Sequence, residues 1–128
     1  MTDWTERMVA TFKAAADLSA KQYHFVRVSA AQTVNQASEA VSQQNFGVLI
    51  NKPAAADAAA AVCYFGETPV VAGGSLTVNV LITTNGSGRA AAAGSGDTVM
   101  GRALTAAGAN GEQIRALVFP PWKNQGLA

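Results

Sequence analysis

A recurrence at 54 residues constrains this chain more than any other feature of it. Phe46-Gly-Val-Leu-Ile-Asn-Lys-Pro53, continuing through Ala58–Phe65, has the pattern of a short strand, an Ala-rich connection and a second strand. Met100-Gly-Arg-Ala-Leu-Thr105, continuing through Glu112–Phe119, has the same form. Gly47 falls on Gly101, Leu49 on Ala103, Ile50 on Leu104, Asp57 on Gly111 and Phe65 on Phe119. Upstream, Val26-Arg-Val28 falls on Val80-Leu-Ile82, and Ser29 on Thr83. Self-similarity at a fixed period marks a duplicated supersecondary unit. The expected units are residues 23–65 and 77–119, each with about four short strands.

Composition limits the core such units can build. Apolar residues make up 49% of the 128, but Ala supplies much of that share and aromatics only 7%. At about 25 cal/mol per Å² an Ala side chain contributes little, so association is expected to assist folding. Nine Lys/Arg against eight Asp/Glu leave a net charge of +1 and no basic patch, which argues against a nucleic-acid partner. The single Cys63 lies in an apolar strand and reads as a small buried hydrophobe. No apolar run is long enough to span a membrane, and Asp3, Glu6 and Arg7 interrupt any leader-like segment, so synthesis in the cytoplasm is expected.

The ends differ from the middle. Trp4, Met8 and Phe12 recur every four residues, with Asp3, Glu6, Arg7 and Lys13 among them. That spacing predicts a short amphipathic helix within residues 1–16, capped by Thr2. Docked on its own domain it is a terminal helix; gripping a neighbour it is an arm. Tyr23–Val28 reads as the first clear strand, and residues 29–45 as a weak strand and a loop. Leu76, Val78, Val80 and Ile82 alternate with Thr77, Asn79, Leu81 and Thr83, the period of a half-buried strand. Asn85-Gly86 then gives a hairpin signal. After the β domain at 17–119 comes Pro120-Pro-Trp-Lys-Asn-Gln-Gly-Leu-Ala128, which reads as an extended tail. Trp4, Met8, Phe12, Pro120, Pro121 and Trp122 are the candidate contact residues, because large apolar groups at chain ends need a partner surface.

The chemistry of an enzyme is not readable. Gly86-Ser-Gly88 and Gly94-Ser-Gly96 lack the Lys and Ser/Thr of a phosphate loop and read as turns. His24 is the only histidine, and it reads as facing solvent or a subunit contact. One His and one Cys do not assemble a nucleophile, base and orienting group, and Asp17, Glu39, Asp57, Glu67, Asp97 and Glu112 are scattered over turns and loops. No catalytic residue, cofactor or metal ligand is assigned. A small ligand-binding or enzymatic β-barrel with its site in a barrel mouth stays as an alternative.

Several runs resemble one family. Phe12–Val28, Gly47-Val-Leu-Ile-Asn-Lys-Pro53, Val70-Val-Ala-Gly-Gly74, Asp97-Thr-Val-Met-Gly101 and the closing strand are similar to the small capsid decoration, or cement, proteins of tailed bacteriophages. The likeness covers residues 12–119, and the run from Gly47 to Pro53 is its most specific part. Members sometimes carry a recombinase-like label, against which the missing phosphate loop speaks here. The resemblance implies a mainly β fold, expected as a small eight-strand barrel or sandwich of two repeated units. It also implies a non-enzymatic virion protein on the outer surface of the capsid, a homotrimer bound to the major capsid protein. A virion-surface domain that binds host cells or glycans is the other reading.

Overall fold

The computed structural model describes residues 7–123, so Trp4 and the segment 124–128 lie outside the described residues. Nine strands form among them: β1 (Arg7–Ala14), β2 (Phe25–Ala30), β3 (Thr33–Gln36), β4 (Asn45–Leu49), β5 (Ala59–Val71), β6 (Leu81–Thr84), β7 (Ala90–Ala92), β8 (Thr98–Ala103) and β9 (Gln113–Lys123). Their order in the sheet is β1-β3-β2-β4-β5-β9-β8-β6-β7, and β1 also pairs with β5. That extra pairing closes β1, β3, β2, β4 and the first half of β5 into a five-stranded barrel, so the fold is all-β.

The second half of the chain repeats these pairings. Val26 pairs with Gln36 and Val28 with Val34; Ile82 pairs with Ala92 and Thr84 with Ala90. Val48 pairs with Cys63 and Leu49 with Val62; Arg102 pairs with Leu117 and Ala103 with Ala116. Val26 faces Gly47 as Ile82 faces Gly101. Even the opening strand has a counterpart. Lys13 pairs with Ala59 as Val71 pairs with Gln113, and the parallel pair Ala14–Val34 matches the isolated parallel bridge Ala72–Ala90. The second half of β5 therefore does for β6–β9 what β1 does for β2–β5. Gly66, with φ of 125°, lies where the strand passes from one role to the other. Left-handed turn residues recur as well: Tyr23 with Asn79, Gln32 with Gly88, and Asp57 with Gly111.

Four sequence expectations need correction. The first two strands of the second unit are displaced from the expected register by two residues, since Ile82, not Val80, stands where Val26 does. A two-residue slip leaves every side chain on its own face, so apolar alternation does not detect it. The strand count is nine rather than eight, because Arg7–Ala14 is a strand and no helix forms among the described residues. Spacing of four is two strand periods as well as one helical turn. Pairing with β5 decides between them, and Ala10, Phe12 and Ala14 turn inward while Val9, Thr11 and Lys13 stay exposed. The third correction is the tail: β9 runs through Pro120 and Pro121 to Lys123. Prolines are tolerated there because pairing with β5 ends at Gly66–Val118. Last, the alternating stretch from Leu76 becomes a regular strand only at Leu81; Leu76 itself makes an isolated bridge to Ala107.

The core has two parts. Ala14, Leu18, Val26, Val34, Leu49, Ala60 and Val62 fill the closed barrel. The larger cluster fills the second unit with Val70, Leu76, Ile82, Met100, Ile114 and Val118, and it takes in Phe25, Ala37 and Val48 from the first. The two units are thus joined by shared apolar packing as well as by β5. A buried Phe such as Phe25 contributes about 3 kcal/mol to that junction.

Candidate interaction surface

Several of the groups that chemistry would need are engaged in structure. His24 is buried between the units rather than facing solvent or a subunit contact as the sequence reading expects. Its Nδ1 lies 3.1 Å from the Gln22 carbonyl, and Arg89 Nε donates to its Nε2 at 3.4 Å. Burial pushes its pKa below the ordinary 6.5, and the charges of Lys21 and Arg89 push the same way. Cys63 is fully buried, and burial raises its thiol pKa. Acids close turns: Asp17 accepts from the Ser19 amide and hydroxyl, Asp97 from the Gly94 amide at 2.7 Å, and Glu112 from the Gly108 amide at 2.9 Å. Glu67 pairs with Arg115 at 3.1 Å on the partly exposed surface. Among the described residues no three His, Cys, Asp or Glu side chains gather into a metal-binding group.

Apolar side chains on the outside are what remain. Met8 and Val9 on β1 and Phe65 on β5 are 54%, 44% and 46% exposed, and Met8 pairs directly with Phe65. Phe12 does not share that exposure. It is half-buried against the barrel, edge-on to Phe46 at 5.3 Å, and Phe46 in turn leans on Tyr64 at 5.7 Å. Of the candidate contact residues at the other end, Pro120 is exposed, Pro121 half-buried and Trp122 46% exposed. Trp122 pairs with Val99 and, with Val41, Gln43, Thr98, Pro121 and Lys123, lines an open cleft of about 270 Å³. The structure thus separates the candidates: Met8 and Phe12 lie on β1, Pro120–Trp122 at the end of β9. Phe65, Phe46 and Tyr64 were not among the sequence candidates. The Phe65 signal was its equivalence with Phe119, which marked strand ends and said nothing of exposure.

The fold is thus all-β, a closed five-stranded barrel joined through the long strand β5 to a second unit with matching pairings. No protein-family model and no curated protein matches the chain. Its fold is nevertheless similar to a solved one, the N base of the head fibre protein gp8.5 of bacteriophage phi29. The likeness covers 92% of this chain and 99% of that one, with a TM-score of 0.64 and 16% sequence identity.

Proposed function

We propose that this chain is a structural protein of a phage head, a decoration protein that binds the outer surface of the shell and stabilises it. The observation that carries the reading is the fold shared over nearly the whole length with a protein of a phage head fibre. The runs quoted above from residues 12–119 support it from the side of sequence. The partner is the major capsid protein, and the protein associates with itself, as a trimer by the resemblance. Many weakly held copies on a symmetric lattice reinforce one another through effective concentration, so modest contacts suffice. Trp122 and the Met8–Phe65 patch are the groups offered to such contacts; burying one of them is worth about 1.5–3 kcal/mol. The barrel interior counts against a ligand site there, because Val26, Val34, Leu49 and Val62 fill it.

The test is reconstitution. Purified protein is mixed with heads that lack it, and the heads are sedimented. Saturable co-sedimentation, with the heads lasting longer on heating or dilution of salt, is the expected result. Protein left in the supernatant at every concentration would refute the reading.

A further inference from the structure

The two units are equivalent in pairing but not in what covers them. Phe12 pairs with Ala60 as Val70 pairs with Ile114, so Phe12 and Val70 hold the same place. By the register of the last two strands, Phe46 matches Met100 and Tyr64 matches Val118. Val70, Met100 and Val118 are fully buried, in one cluster with Phe25 and Val48 of the first unit. Their counterparts Phe12, Phe46 and Tyr64 form a chain of ring contacts that stays half-exposed.

The covering face has a counterpart too. Phe25 pairs with Val48, and Leu81 with Arg102, so Leu81 and Arg102 repeat Phe25 and Val48. Phe25 and Val48 are wholly buried on the second unit, whereas Leu81 is half-exposed, Arg102 exposed and the nearby Leu104 37% exposed. Inside the chain, then, the outer face of unit one lies on unit two. Among the described residues, the outer face of unit two and the matching patch of unit one are both left open.

We infer that a second copy of this chain joins them: the Leu81–Arg102–Leu104 face of one molecule packs on the Phe12–Phe46–Tyr64 patch of the next. The residue types agree across the contact. Within the chain an aliphatic Val48 meets aliphatic Val70, Met100 and Val118. Between chains a guanidinium would meet three aromatic rings, which attract a cation through their faces. Arg102 is held by its Nη1 donating to the Asn79 carbonyl at 3.1 Å. The two contacts are not identical. In the second unit Tyr23–Phe25 enters the seam between β5 and the β6–β7 hairpin, where the Val71 amide donates to Tyr23 and the Phe25 amide to Gly88. The first unit closes that seam itself, with the Lys13 amide donating to Gln32 at 2.7 Å. A partner therefore lies across the aromatic patch instead of entering it. Such a contact is heterologous, with different surfaces on each side, and it builds a ring if its rotation closes.

This inference deepens the self-association within the proposed function and is tested apart from capsid attachment. Sedimentation velocity on the full chain, up to roughly 100 μM, reads it. Wild type should associate with concentration. Arg102→Glu, on an exposed side chain, should weaken that about tenfold or more without lowering the melting temperature. Tyr64→Ser should do the same from the other side. Mixing the two variants gives the decisive readout, because each keeps one intact surface: a one-to-one dimer should form at a concentration where neither variant associates alone. Wild type that stays monomeric, Arg102→Glu that associates normally, or a mixture that stays monomeric overturns the inference. So does association lost with Trp4→Ala but kept with Arg102→Glu, which would assign the contact between copies to the N-terminal segment instead. If Tyr64→Ser does not fold, Arg102→Glu alone decides. Heads decorated by a chain that remains monomeric would overturn this inference, and the self-association with it, and leave the capsid attachment in the proposed function standing.

Discussion

Gly101→Ala should be among the most damaging single-methyl additions in this protein. Gly101 sits in β8 between two partners, paired with Ile82 on one side and Val118 on the other. A Cβ there would lie 2.5 Å from the Leu117 carbonyl oxygen and 3.3 Å from both the Leu117 carbonyl carbon and Val118 Cα. All three are backbone, so no side chain can swing away. Ordinary contact needs about 3.4 Å, and β8 and β9 must separate by most of an ångström to reach it, at the centre of the second unit's sheet. Overpacking of this kind costs about 2–4 kcal/mol. Ala also narrows the unfolded ensemble, which returns about 0.4–1 kcal/mol. The net loss is about 1–3.5 kcal/mol, or a fall of roughly 4–14 °C in Tm for a domain of this size. Urea denaturation at one fixed, low protein concentration measures it, because association would add to apparent stability. Gly47 makes the same approach to the Cys63 carbonyl, so Gly47→Ala should cost a similar amount. Gly74→Ala is the control, since a Cβ there meets nothing within 4 Å; it should be neutral or slightly stabilising. Gly101→Ala within about 0.5 kcal/mol of wild type would refute the close approach.

Acid should loosen the junction between the units. His24 has its pKa lowered by burial in the folded state, so the unfolded chain binds its proton more readily; stability is full above the ordinary value of 6.5 and falls as pH drops below it toward the folded value. A His24→Gln variant should lose that part of the slope between neutral and mildly acid pH in denaturation curves. Cys63 should react with a thiol reagent only on unfolding, because it is buried and its pKa is raised; labelling of the native protein at the rate of a free thiol would contradict this. Phe25→Ala and Leu81→Ala should differ although the sites are equivalent: about 3–5 kcal/mol for the buried Phe25 and about 1 kcal/mol or less for the half-exposed Leu81, by denaturant titration. Trp122→Ala should leave Tm within a few degrees of wild type while weakening attachment to heads, read by co-sedimentation.

Parts of this architecture were legible for identifiable reasons. Gly47 and Gly101 stood out because a backbone-to-backbone approach admits no other residue, and such a position leaves a mark in sequence. Asn85-Gly86 announced the β6–β7 turn, where the Asn85 side chain accepts from the Ser87 and Arg89 amides. The first strand was missed because Trp4, Met8 and Phe12 satisfy the helical period and the strand period together; only the partner, Ala59–Gly66, chooses. The role of β5 was hidden for a related reason. Gly66 and Glu67-Thr-Pro69 carry the marks of a break in sequence, yet all lie within the one strand that ends one unit and begins the next. The exposed patches were the least legible. Phe25 and Leu81 look alike in sequence, and what separates them is that Phe25 packs into the second unit's core whereas Leu81 stays half-exposed.

The central claim is that this chain sits on the outside of a phage head. A cryo-EM map of the parent virion tests it most directly. The account predicts density on the outer face of the shell that fits the five-stranded barrel and its joined second unit, with the end of β9 or the Met8–Phe65 patch at a contact. A shell of bare outer surface, or this chain found only inside the particle or absent from it, would contradict the account.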